Sequence, residues 1–292
     1  MNGVNAKVNP INILDWFDLQ RQLEKYYGPK HAASWAFRGV GEAEWELKSS
    51  LERMELQIPL IEAERYLLTT FQRRAHHYIS DPPDKEDYLE WLALLQHHGA
   101  PTRLLDWTKS PYVALFFALD QLRYDGGCCA LWAIDLQWCK QQARQNILSS
   151  SQINMFDPDE SLGKPETFRA VFFNDSPIQF VAPLQPFRMN ERLTIQQGLF
   201  LCPGDLQRSF EENLLAFTYD FSDHVHKIVI PNKLREDMLM RLNRMNINRA
   251  SLFPGIDGFA QSLVNNLQIA THWGKLSSEI KRLNIYSEYG FL

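Results

Sequence analysis

The chain has 292 residues, enough for one large domain or two modest ones, with a core that needs no disulfide or metal staple. Hydrophobic residues make up 45%, aromatic residues 12% and charged residues 22%, which excludes a disordered or collagen-like chain. The formal net charge of -5 argues against holding duplex nucleic acid by bulk electrostatics, although local patches can still meet phosphates.

The longest apolar run, 113–119, is far too short to span a bilayer, so no membrane association is expected. Residues 1–12 lack a basic stretch followed by a long apolar one, so no secretory signal is read and the expected address is the cytoplasm. The four cysteines, Cys128, Cys129, Cys139 and Cys202, lack paired CxxC spacing. They read as reduced, buried thiols, and no metal is expected.

The pattern predicts an amphipathic helix over 13–27 and a short strand over 34–39. A long helix over 59–78 and a second over 86–98 follow, separated by the Asp81-Pro82-Pro83-Asp84 breaker. Gly99 stands where a helix end favours a left-handed residue, and Pro101 blocks continuation. Residues 100–108 read as a loop or short extended piece. Ser110 and Pro111 then open an almost wholly apolar helix to about 122, as N-cap and first helical residue. A buried strand over 129–136 and a polar helix over 137–147 come next. Residues 149–172, rich in Ser, Asn, Asp, Pro and Gly, read as a loop or lid. Short strands are predicted at 179–181, 198–202 and 227–230, then helices at 232–243, 249–253 and 257–270. The aromatic tail 281–292 is a candidate to dock on the body. The expected fold is α+β in a single domain, with a helical N-terminal layer on a small mixed or antiparallel sheet. Its expected parts are an N-terminal helix in 1–29, the main domain in 30–260, and a C-terminal helix and tail in 261–292.

Three polar clusters could carry chemistry. The densest runs from Gln96 to Pro111 and holds His97, His98, Thr102, Arg103, Asp106, Thr108 and Ser110 between two apolar helices. Polar groups there need partners, because each unpaired buried group costs roughly 1–3 kcal/mol. The cluster is either a site or a hydrogen-bonded buckle in which Asp106 bonds Arg103 and the hydroxyls cap the next helix. The second cluster is Phe37-Arg38-Gly39. Its glycine permits close approach by a ligand, and its arginine suits phosphate or carboxylate. Arg38 reads equally as the partner of Asp106 or Glu44. The third runs from Asn190 to Phe200 with Glu191, Gln196 and Gln197 before a glycine, and solvated amides at a strand start explain it equally. His76-His77 and His224-x-His226 lack the geometry or the third ligand of a metal site. No P-loop, GxSxG, HExxH or GxGxxG is present.

Taken in order, these clusters resemble FRG-domain proteins, named for the run seen here at Phe37-Arg38-Gly39. The matching pieces include Trp45-Glu46-Leu47, Gln96-His97-His98-Gly99, Thr102-Arg103-Leu104-Leu105-Asp106-Trp107-Thr108, Gln196-Gln197-Gly198 and Ser251-Leu252-Phe253-Pro254-Gly255. The likeness extends over about residues 30–260. A further resemblance is to the ADP-ribosyltransferase fold. It sets Arg38 against that fold's first motif and Thr108-Lys109-Ser110 against its second. Glu191, Gln196 or Gln197 stands against its third.

That resemblance implies an NAD-consuming enzyme, a mono-ADP-ribosyltransferase or NAD glycohydrolase. It would act on a macromolecular acceptor, protein or nucleic acid, in a toxin or phage-defence setting, with an antitoxin or regulatory partner possible. Arg38, His97, Thr108, Ser110 and Gln197 are then the expected catalytic set. Phe37, Arg38, Gly39, Thr102, Arg103 and Asp106 are expected to contact NAD, as substrate. All of this requires Arg38, the Thr108 turn and a late amide to converge on one cavity. The third motif lacks the usual Gln/Glu-x-Glu, and a Gln cannot supply negative charge to a developing cation. Two alternatives stay open: a nucleotide or nucleic-acid hydrolase using His97, Arg103 and Asp106, and a non-catalytic binding module.

Overall fold

Short runs rich in Trp, Phe, Ile and Val become strands, and stretches with apolar residues three and four apart become helices. The computed structural model describes residues 3–4, 7–27, 35–120, 126–150, 162–216 and 222–272. Strand β1 (Pro10–Asn12) leads to helix α1 (Trp16–Leu23) and strand β2 (Trp35–Val40). Helices α2 (Leu60–Ala75) and α3 (Tyr88–His97) precede β3 (Leu105–Thr108), α4 (Pro111–Asp120), β4 (Cys128–Asp135) and α5 (Leu136–Ser149). Then come α6 (Pro165–Phe172), β5 (Val181–Leu184), α7 (Glu191–Ile195), β6 (Gly198–Pro203) and α8 (Phe210–Leu215). Strand β7 (Val225–Pro231) and helices α9 (Arg235–Arg244), α10 (Arg249–Leu252) and α11 (Ile256–His272) follow.

The strands form one seven-stranded sheet in the order β1-β7-β4-β2-β3-β6-β5. Only β1 and β7 run parallel, so the sheet is mixed and the fold is α+β as expected. Helices cover it on both faces rather than forming a single N-terminal layer. On one face, Phe37, Leu131 and Ile228 pack against Leu19, Leu115 and Leu242 from α1, α4 and α9. Further along that face Phe200 joins Trp91, Phe168 and Phe172 from α3 and α6. The opposite face carries Trp107, Trp132, Leu199 and Leu201 against Phe210 and Leu214 of α8.

Local signals start and stop the elements where the sequence places them. Gly99 takes the left-handed conformation, φ +85°, at the end of α3. The Ser110 hydroxyl accepts from Val113 N at 3.3 Å, capping α4. Several expectations need correction. The stretch 149–172 is not one loop: α5 reaches Ser149, and 165–172 is helix α6, with Phe168 and Phe172 buried. Lys164-Pro165 starts that helix, and its apolar residues fall on one face; residues 151–161 lie outside the described residues, as does the tail 281–292. Residues 105–108 take the extended alternative, as the interior strand β3, whereas β1, α7 and α8 are elements without a predicted counterpart.

Gly39 serves a different purpose from the one expected. A Cβ placed there would lie 1.9 Å from the Ala114 carbonyl oxygen and 2.6 Å from Ala118 N. Ala114 and Ala118, four apart and fully buried, let the backbone of α4 settle directly onto β2. The glycine therefore admits a helix and not a ligand. Phe37 is likewise core, 1% exposed, with its ring edge-on to Tyr26.

Arg103 is also interior, at 0% exposure. Its Nε and NH2 donate to Glu64 Oε2 at 2.8 and 2.5 Å, and NH1 donates to the Phe172 carbonyl at 3.1 Å. Its main-chain N–H donates to Glu64 Oε1 at 3.2 Å. One side chain thus joins α2, the segment before β3 and the end of α6, and it has no free donor face for a cofactor.

Two stability outcomes follow from this packing. Gly39→Ala should cost about 3 kcal/mol, the upper range for overpacking, because the obstructing atoms are backbone. A fall in the urea midpoint at unchanged slope would show it. Glu64→Gln should cost about 3–5 kcal/mol by stranding a buried guanidinium, while the pair Glu64→Leu with Arg103→Met should recover most of that loss in the same assay.

Candidate functional site

The sheet has a seam. Strand β2 pairs with β4 over the six positions Trp35 to Val40, and β3 pairs with β6 over four. Between β2 and β3 a single residue pair, Phe37 opposite Thr108, makes the join. Beyond it, carbonyls that would enter a ladder need other donors. Arg38 supplies one: its NH1 donates to the Asp106 carbonyl at 2.6 Å, across the seam. The expected pairing of Arg38 with the Asp106 or Glu44 carboxylate is thus corrected: Arg38 meets Asp106 through its main-chain carbonyl, and the Asp106 carboxylate accepts from Gln96.

Beside the seam lies a cleft of about 850 Å3. Among the described residues it is lined by the cations Arg38, Lys48 and Arg53, the carboxylates Glu44 and Glu46, and Val40 and Trp45. The loop that carries most of them is pinned by two carboxylates. Glu211 accepts from Leu47 N at 2.9 Å and Val4 N at 2.7 Å. Glu52 accepts from Ser49 N at 2.8 Å and Phe210 N at 2.9 Å. Arg53 NH1 donates to the Lys48 carbonyl at 2.6 Å, and Lys48 pairs with Glu46 at 2.6 Å.

Burial pulls the Arg38 guanidinium down to about 10, against the pull of Asp106, and Arg53 lowers it further. It stays charged at neutral pH. Its Nε is buried and makes no hydrogen bond among the described residues. In the same row across the sheet, Arg38 stands opposite Trp132, and Trp132 opposite Lys227, whose ammonium lies 5.5 Å from the indole centre. Burial lowers the pKa of Lys227, which Glu44 and Glu211 counter.

The expected convergence of Arg38, Thr108 and Gln197 on one cavity is not what the register builds. Residues directly opposed across an antiparallel pair share a face, and neighbours along a strand alternate. Thr108 shares the face of Phe37, so Arg38 points to the other side. On the Phe37 side the Thr108 hydroxyl donates to the Gln196 carbonyl at 2.6 Å and accepts from Ser110 N at 3.0 Å. Lys109 N donates to the Gln197 carbonyl at 3.0 Å, with Gln197 at φ 50°. Gln196 Nε2 donates to the Leu252 carbonyl at 2.9 Å. These residues lock the turn into α4 onto the turn from α7 into β6.

Thr102 is fully buried and bonded to Gln96 and Ser50. Gln96 in turn donates to the exposed Asp106 carboxylate at 2.7 Å. His97 is exposed, and its pKa is lowered by the surrounding protein and by His98 and Arg192. Nearby, the Arg192 guanidinium lies 4.4 Å from the Phe253 ring centre.

Sequence reasoning did not single out Lys48, Arg53 or Glu46 as a ligand wall. The available signal was the alternating Glu44-Trp45-Glu46-Leu47-Lys48 run, which leaves every second side chain facing outward within ten residues of Arg38. Among the described residues no group of three or more His, Cys, Asp or Glu could hold a metal ion, and no helix is long and apolar enough to cross a membrane.

Residues 33–125 match the model of the FRG domain, a span that includes β2, the cleft loop, Arg103, β3 and α4. The chain carries an FRG domain. No curated protein and no solved structure matches it. The FRG run itself now has a structural reading: Phe37 makes the seam's one pair, Arg38 bridges the seam, and Gly39 seats α4.

His226 yields a pH prediction. Its ring stacks on Trp35 at 5.0 Å, and its Nδ1 hydrogen-bonds the Tyr26 hydroxyl at 2.8 Å. Burial lowers its pKa from 6.5; Ser222 and Asp223 oppose this, while Lys25 and His224 add to it. The unfolded chain therefore binds the proton first, and stability falls as pH drops below about 6.5 towards the folded value. His226→Gln should flatten that part of the profile when urea midpoints are compared between pH 8 and pH 5.

Proposed function

We propose that the cleft beside Arg38 binds a phosphate-bearing dinucleotide, and that NAD is consumed there by ADP-ribosyl transfer or by hydrolysis. The observation that carries this reading is Arg38 itself. It is a charged, half-buried guanidinium at the wall of an 850 Å3 cleft, with a buried Nε that has no hydrogen-bond partner among the described residues. A cleft of that volume lies within the range of small-molecule sites. A planar fork suits phosphate oxygens, and Lys48 and Arg53 add to the positive field.

The reaction class comes from the likeness to the ADP-ribosyltransferase fold. The reading places a macromolecular acceptor, a toxin or phage-defence setting, a possible antitoxin partner and a cytoplasmic address with it. Thr108, Ser110, Gln196 and Gln197 enter as the brace behind the seam, and Arg38 with the cleft loop as the ligand wall. The hydrolase alternative draws no support from the geometry, because Arg103 is committed to Glu64, away from His97 and Asp106. The binding-module alternative has one observation in its favour, the Arg38 bond to the Asp106 carbonyl.

Titration calorimetry with NAD and a nicotinamide-release assay separate these. Arg38→Ala should weaken NAD binding by about 10- to 100-fold, the worth of a charged hydrogen bond, and abolish nicotinamide release. It should also lower Tm modestly through the lost seam contact. A wild-type chain that binds no NAD, or an Arg38→Ala chain that binds it normally, overturns the reading.

A further inference from the structure

We propose that Glu44 is the catalytic carboxylate of this cleft, set against the C1′–N bond that joins ribose to nicotinamide; the assignment rests on the NAD reading above. The residues that family order would place in that role are elsewhere. Gln196 is buried with its amide on the Leu252 carbonyl, Gln197 belongs to the locked turn behind β3, and Glu191 is exposed at the start of α7. The cleft has carboxylates of its own, Glu44 and Glu46. Glu46 is tied to Lys48 at 2.6 Å. Glu44 makes no hydrogen bond or ion pair within contact distance among the described residues, while its charge acts on the buried Lys227 ammonium.

The chemistry of the wall matches a ligand with two unlike ends. Arg38 and Arg53 suit a pyrophosphate. The Trp45 indole, beside Glu44, suits a pyridinium ring, which an aromatic face attracts as it does other cations. When the C1′–N bond breaks, its electron pair moves onto the nicotinamide nitrogen and discharges the ring. Positive charge passes to C1′ and the ribose oxygen, where a fixed carboxylate lowers its energy. A nucleophile, water or an acceptor hydroxyl, then gives an electron pair to C1′ and releases its proton. The products are nicotinamide, the ADP-ribosyl adduct or ADP-ribose, and one proton. No oxidant or reductant is needed.

Nicotinamide release and NAD affinity, measured on the full chain, test the assignment. Glu44→Gln should bind NAD within about three-fold of wild type and release nicotinamide at least about 100-fold more slowly, since only the developing cation needs the charge. Glu44→Asp keeps the charge on Lys227 and carries the test if the amide variant unfolds. Its carboxylate is drawn back by about 1 Å, so release should slow by about 10- to 100-fold at unchanged affinity. Either variant releasing nicotinamide at the wild-type rate overturns the role of Glu44 and leaves the NAD reading standing. A wild-type chain that neither binds NAD nor releases nicotinamide overturns both.

Discussion

One residue pair holds the two halves of the sheet together. Phe37 and Thr108 are the one paired position between β2 and β3 among the described residues, and the groups around them reinforce it. Phe37 is sunk into the core, so the join is held from beneath. The Thr108 hydroxyl reaches the Gln196 carbonyl and stiffens the β3 side. Arg38 crosses to the Asp106 carbonyl on the opposite face. A carbonyl left out of a ladder must find a donor, and here the donor is a side chain long enough to span the gap.

A seam this narrow needs rigid surroundings. Helix α4 lies against β2 at backbone contact distance because Gly39, Ala114 and Ala118 have no bulk to keep it away. The buried Arg103–Glu64 pair ties α2 to the segment entering β3, and its geometry leaves few unsatisfied donors. Glu211 and Glu52 do the same for the cleft loop by accepting main-chain N–H groups. Three carboxylates thus serve to position backbone and side-chain donors.

The overall charge and the local field point in opposite directions. The whole chain is acidic, yet Arg38, Lys48 and Arg53 share one concave wall with Lys227 in the row behind it. Binding at such a site depends on the local arrangement of fixed donors more than on net charge, because solvent screens distant charges within about 10 Å at ordinary salt.

The amino-acid sequence by itself determined the elements whose signals are local. Gly99 ends α3 in the left-handed region, Ser110 and Pro111 start α4, and the apolar run from 113 to 119 goes wholly inside. It also carried the likeness to the FRG domain, which the domain model matches over residues 33–125, and it marked Arg38 as a residue to explain. The partners were decided by tertiary structure. Arg103 finds Glu64 thirty-nine residues away, Gly39 meets α4, and Thr108 pairs with Phe37, none of which spacing along the chain can show. The physical reason is the two-residue repeat of a strand. Which face a side chain takes is decided by register, and register is decided by what packs on each face; one step along β2 separates a core phenylalanine from the arginine at the cleft.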